Sequence, residues 1–161
     1  MSLQIRPATA DDADAQWAIC VSCSPPAGPC LAVRCDARTS AGAATPPGGW
    51  TFVALADEPP RREHLLPQGQ FPGAGRRGQL RLHGGARARG LGVGDAWPRH
   101  SLDEARGARL RAVQFNAVVN TNTGAIRLWE RCGFAIVGTV PAAFRHPTQG
   151  EVAVHVMHRR L

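Results

Sequence analysis

A mixed α/β fold, with helices flanking a central sheet, is what the sequence predicts, and three observations predict it. Residues 89–161 run in the order glycine loop, helix, strand, helix, strand, strand. The chain opens on Gln4-Ile5-Arg6-Pro7, a short strand, followed at Thr9 by a helix start. Its 161 residues, 43% of them hydrophobic, can bury one core and are too few for two comfortable ones. A single domain spanning 1–161 is expected.

Taken in order, the elements have local causes. Thr9 is an N-cap with Asp12 three residues on, and Asp11, Asp12 and Asp14 load the first turn with negative charge. Ala13, Trp17 and Ala18 share a face at helical spacing. Pro and Gly break regular structure from Cys20 onward, except for Trp50-Thr51-Phe52-Val53-Ala54-Leu55, which has strand composition. Leu80-Arg81-Leu82 alternates too briefly to define a strand.

Regular patterning returns with Arg89-Gly90-Leu91-Gly92-Val93-Gly94 and a helix over Ser101–Arg111. Val113, Phe115, Ala117 and Val119 alternate as the apolar face of a strand. Asn120-Thr121-Asn122-Thr123 supplies caps for a helix from Thr123 to Arg131, with Gly133 ending it. Ala135–Val140 reads as a strand closed by Pro141, and Val152, Val154 and Val156 define the last strand. Cys132 reads as a small buried residue and Arg159-Arg160 as a solvated terminus.

The middle of the chain is compositionally foreign to both ends. Residues 20–98 hold 10 of the 13 Pro and 13 of the 18 Gly, and residues 20–112 lack Ile, Met and Asn. All 19 basic residues are Arg, and Tyr is absent throughout. The net charge of +7 is uneven, at −3 over residues 1–60, +6 over 61–89 and +4 over 90–161. Such a basic stretch suits nucleic acid or a polyanionic cofactor. With Phe71 as its one aromatic, it offers no stacking platform, which argues against a nucleic-acid binder. No apolar run reaches membrane-span length and no leader-like stretch opens the chain, so no membrane association and a cytoplasmic location are expected.

The glycine loop carries the chemistry. Glycines at alternate positions before a helix let the backbone approach a ligand closely and leave N–H groups free to hold a phosphate. Arg89-x-x-Gly92-x-Gly94, a helix, a strand, and Asn122-x-x-Ala125-x-x-Leu128-Trp129-x-x-x-Gly133-Phe134 together resemble the GCN5-related N-acetyltransferase (GNAT) family. Ile5-Arg6-Pro7-Ala8-Thr9, Pro141-x-x-Phe144 and Met157-x-Arg159-x-Leu161 add to the resemblance, which covers roughly 1–19 and 89–161.

The resemblance implies an acyl-CoA N-acyltransferase fold, a mixed central sheet flanked by helices, with acetyl-CoA as co-substrate. Arg89, Gly90, Leu91, Gly92, Val93 and Gly94 would hold its pyrophosphate, and Asn122 would contact the pantetheine arm or the strand beside it. The reaction implied is transfer of the acetyl group to a primary amine, with a small molecule or amino acid as acceptor. Where many members place an acidic Tyr this chain has Trp129, whose N–H is too weak a donor, so Trp129 reads as core packing. No catalytic base or acid is identified; His146, His155 and His158 read as satisfied or solvent-facing. A homodimer is left open.

The resemblance also implies a strand before the glycine loop that splays to accept the pantetheine arm and offers a backbone N–H to the thioester oxygen, where Gly78–Ala86 reads as a poor strand. Back-translated with permitted codons and read one base later, His64–Pro72 gives Thr-Tyr-Tyr-Leu-Lys-Ala-Asn-Phe, and Gly78–Ala86 gives Ala-Asn-Cys-Gly-Tyr-Met-Val-Ala-Pro. Residues 20–88, apart from Trp50–Glu58, are therefore expected to be largely out-of-frame translation, with poorly formed central strands. Pro98, set in the following helix, suggests a second short slip. Two other readings stay open: a catalytically dead remnant of the family, and a basic zinc or nucleic-acid module built on Cys20, Cys23, Cys30 and Cys35. The zinc reading is weakened by the six-residue loop and the missing knuckle glycines, so no metal is expected.

Overall fold

The computed structural model describes residues 4–12, 50–55, 61–68, 77–83 and 93–161. Seven strands form one sheet: β1 (Gln4–Pro7), β2 (Trp50–Leu55), β3 (Arg61–Gln68), β4 (Arg77–His83), β5 (Ala112–Val119), β6 (Ala135–His146) and β7 (Gly150–Arg160). Their spatial order is β1-β2-β3-β4-β5-β7-β6. Helix α1 (Val93–Gly107) joins β4 to β5, and α2 (Thr123–Arg131) joins β5 to β6. Every neighbouring pair is antiparallel except β4 and β5, which are parallel.

The strand that composition argued against is present. β4 pairs with β3 from Arg77↔Gln68 to His83↔Arg62 without a break, so the expectation of poorly formed central strands is not met. Backbone pairing on both edges of β3 outweighs its poor strand propensity, the usual tertiary override. Pro67, in β3, lies past the stretch that pairs with β2, where the missing N–H costs β2 no bond. The four cysteines of the zinc reading lie outside the described residues, as do Ala13, Trp17 and Ala18.

The core joins both helices to one face of the sheet. Leu102 and Ala105 of α1, Val113, Phe115 and Val118 of β5, Trp129 of α2, Phe134 and Met157 of β7 form a single buried cluster. Val119, Phe144 and Val154 form a second, smaller one. Ala117, expected on the apolar face, is exposed and Val118 is buried instead. The cause is a β-bulge: Phe115 opposes Met157 and Val118 opposes His155, so β5 carries one extra residue and its facing reverses.

Helix ends follow their caps. Asn122 Oδ1 accepts from the Ala125 N–H at 3.2 Å, starting α2 where the capping residues predicted. At the other end Gly133, with φ +79°, donates to the Glu130 carbonyl at 2.9 Å, and Phe134 donates to that of Trp129 at 3.0 Å. That is a Schellman motif, completed by the Trp129–Phe134 ring contact at 5.5 Å. Arg159 is half-buried and donates to the Cys132 carbonyl, so it adds positive charge to the C-terminus of α2 rather than forming a solvated end.

Helix α1 starts and ends earlier than the predicted Ser101–Arg111. Its end is a second Schellman turn, with Arg109 N–H on the Arg106 carbonyl at 2.8 Å and Leu110 N–H on that of Ala105 at 2.9 Å. Here the left-handed position is filled by Arg109 at φ 55°, which lacks glycine's freedom. Pro98 is the sixth residue of α1, fully buried, and removes the N–H that would bond the Gly94 carbonyl. β6 runs on past Pro141 to His146, because Pro141 lies in a bulge between the Val140↔Val154 and Phe144↔Val152 pairs, with Ala142 at φ 49°, where the ladder is already interrupted.

At the N-terminus, Asp12 closes a 3₁₀ turn (Ala10–Asp12) back onto β1. Its carboxylate accepts Arg6 Nη1 and Nη2 at 2.7 and 2.8 Å and the Thr9 N–H at 2.8 Å. The last bond is one half of a capping box. The Arg6 hydrogen bonds, helped by Thr9, pull the Asp12 carboxyl from 3.8 to about 2.

Two outcomes are expected. Because the folded-state value is depressed, the Asp12 contribution is complete above about pH 4 and is lost as pH falls toward 2. Chemical denaturation of D12N should show lower stability at neutral pH, by about 1–3 kcal/mol, and no loss from this group across that acid window. Replacing Arg109→Gly should raise stability by about 0.5–1 kcal/mol, read as a higher denaturation midpoint at unchanged slope.

Candidate functional site

The sheet opens at its centre. β4 and β5 pair only at Arg77↔Ala112, Gly78↔Val113 and Gln79↔Gln114. Beyond these, Leu80–His83 stays bound to β3 on its outer edge, while β5 stays bound to β7 on its own. The facing edges of Leu80–His83 and Phe115–Val119 therefore carry backbone N–H and C=O groups with no ladder partner across the gap. Backbone groups in the middle of a sheet need partners, so the gap suits an extended ligand with amide groups of its own.

The connections aim two helices at the same end of this gap. β4 and β5 are parallel and joined through α1, so the N-terminus of α1 lies at the end where both strands finish. α2 starts there too, four residues after Val119. Both helix N-termini present positive dipole ends, which favour an anion. The chain from residue 90 onward adds a net charge of +4. The bulge at residues 116–117 sits on the strand bordering the gap, a position such irregularities often occupy beside binding sites.

The predicted site residues divide. Arg89, Gly90, Leu91 and Gly92 lie outside the described residues. Val93 and Gly94 open the first turn of α1. Asn122 is exposed at the mouth of the gap, with its carboxamide oxygen committed to the α2 cap. Trp129 is 5% exposed, with ring centroids 4.1 Å from Phe115 and 5.5 Å from Phe134. It is a core residue, as read from the sequence.

Two of the three candidate histidines find hydroxyl partners. His155 Nδ1 lies 2.8 Å from Thr139 Oγ1, and His146 Nδ1 lies 3.3 Å from Thr148 Oγ1. Among the described residues, no group of His, Cys, Asp and Glu could hold a metal ion. No described helix is long and apolar enough to cross a membrane. The resemblance implied a strand splayed beside the pantetheine arm, and β4 does part from β5 here; sequence reasoning missed Asn120 at the end of the gap. The one signal was the Ala117-Val118-Val119 run, which breaks the alternation where the bulge forms.

Comparison with known proteins agrees with this geometry. Residues 60–134 match the acetyltransferase (GNAT) family. A GCN5-related N-acetyltransferase from Kribbella flavida is 36% identical, with a TM-score of 0.85 over 99% of this chain and 98% of that one. A protein from Salmonella typhimurium assigned as an acetyltransferase, solved with its cofactor acetyl-CoA, has a TM-score of 0.83 at 18% identity. That match covers 100% of this chain and 95% of the other. Ribosomal-protein-alanine N-acetyltransferase from Brucella melitensis has a TM-score of 0.78 at 21% identity, over 98% and 99% of the two chains. The last two likenesses are of fold. No curated protein matches the chain.

Because the Trp129 ring bridges Phe115 and Phe134, truncating it empties the core beneath the gap. Trp129→Ala should cost about 3–5 kcal/mol, and Trp129→Phe well under half of that, by chemical denaturation.

Proposed function

Since the chain belongs to the GNAT acetyltransferase family, we propose that it transfers the acetyl group of acetyl-CoA to a primary amine of a small molecule or amino acid, in the cytoplasm. The observation that carries the reading is the gap between β4 and β5 with two helix N-termini at its open end. The residues present fit the co-substrate. The open backbone edges match a pantetheine arm with its two amides, and the N–H groups of the first turn of α1 match a pyrophosphate.

When bound, acetyl-CoA supplies an activated thioester carbonyl to the attacking amine. Arg89 to Gly94 would hold the pyrophosphate through backbone N–H groups, and Asn122 would stand beside the arm. Leu80–His83 and Phe115–Val119 would orient the arm by strand-like hydrogen bonds and keep water from the gap. Trp129 takes no part in proton transfer, because its ring is closed in the core. The small-molecule acceptor is supported by Trp129 in the place of Tyr and by the segment Pro141–Pro147, which resemble small-molecule members.

Isothermal titration with acetyl-CoA should give saturable binding to about one site. Gly92→Asp, which sets a carboxylate against the pyrophosphate, should weaken it at least about tenfold with little change in melting temperature. Failure of the unaltered chain to bind acetyl-CoA would overturn the reading. The composition of residues 20–88 supports a second proposal, that this stretch is largely out-of-frame translation. Re-reading the DNA over codons 18–100 should reveal compensating single-base insertions or deletions, and a confirmed sequence would overturn it.

A further inference from the structure

Three buried side-chain atoms have no hydrogen-bond partner among the described residues: Trp97 Nε1, His100 Nδ1 and Asn120 Oδ1. The first two belong to the middle of α1, where the His100 ring packs on Phe52 of β2 at 4.7 Å, away from the gap. Asn120 is different in place. It is the first residue past β5, and its backbone N–H is pinned to the Ala153 carbonyl of β7 at 3.0 Å. It therefore stands at the end of the strand that borders the gap, where ligands of parallel strand pairs bind.

A buried carbonyl oxygen left unpaired costs about 1–3 kcal/mol, and such a group in a native fold calls for an explanation. The neighbouring Asn122 Oδ1 already has one lone pair committed to the Ala125 N–H of the α2 cap. Backbone edges along the gap offer donors and acceptors alike. At its end, the buried Asn120 Oδ1 is an acceptor with no donor facing it among the described residues. The complementary group is an N–H, and an amide in an extended arm carries one.

We propose that Asn120 is a binding residue whose Oδ1 accepts a hydrogen bond from an amide N–H of the pantetheine arm of acetyl-CoA, a role that rests on the acetyltransferase reading above. In the unliganded chain the unpaired oxygen lowers stability, and the bound arm relieves that cost. Asn120 thus links affinity to fold stability, which a purely structural asparagine would not do.

The test is Asn120→Leu, of similar volume, with Asn120→Ser as a second variant that shortens the side chain. Titrations would use acetyl-CoA and adenosine 3′,5′-bisphosphate, which lacks the arm. Expected are a melting temperature for Asn120→Leu at or above that of the unaltered chain, acetyl-CoA binding weakened about fivefold to tenfold in both variants, and unchanged binding of the bisphosphate. Unchanged acetyl-CoA affinity would overturn the proposal while leaving the acetyltransferase reading intact. Equal weakening of both ligands would overturn it as well, by showing a general distortion. An unaltered chain that binds neither ligand would overturn the underlying reading and this proposal together.

Discussion

The parting of β4 from β5 after three residue pairs is the constraint on which the rest of the structure depends. A sheet gives up central hydrogen bonds only when something holds the strands apart and something else satisfies the exposed groups. Here β4 is held by β3 along its full length, and β5 is held by β7 on either side of a bulge. The sheet therefore behaves as two antiparallel arms, β1–β4 and β5–β7–β6, joined at a short parallel seam. Because the seam is parallel, its connection must cross over as a helix, and that places the start of α1 at the opening.

Packing explains why the second arm is firm. Phe115, Trp129, Phe134 and Met157 bring together β5, the start and end of the α2–β6 connection, and β7 in one aromatic-rich cluster. The α2 helix within it is closed at both ends, by Asn122 and by the Gly133 turn, and Arg159 of β7 reaches across to the Cys132 carbonyl. Together these fix β5 and the start of α2, and with them the position of Asn120 and Asn122 at the mouth. Binding and stability thus share residues, which is where trade-offs between the two arise.

Much of this was legible from residue pattern because the causes were local. The α2 helix was bounded correctly from Asn122 and Gly133, since caps act within a turn. The core role of Trp129 followed from its place on the apolar side of that helix. Other features were not legible, since their causes are distant. A bulge depends on the register between β5 and β7, so Ala117 and Val118 were assigned to the wrong faces. The continuation of β6 through Pro141 depends on a bulge in its pairing with β7, which local sequence does not state. β3 and β4 arise from pairing in the face of poor composition, and the gap between β4 and β5 was legible only through the family resemblance, because it is a property of two strands rather than of either. The glycine loop was legible as a motif, while its first four residues lie outside the described structure.

The most direct test is hydrogen exchange at residue resolution on the chain with and without acetyl-CoA. The account predicts that the co-substrate slows exchange of backbone amides in Leu80–His83, Phe115–Val119 and the first turn of α1, where N–H groups gain ligand partners. It predicts little change in β6 and the β6–β7 turn. Saturable binding with protection confined elsewhere, or with none along either side of the gap, would contradict it.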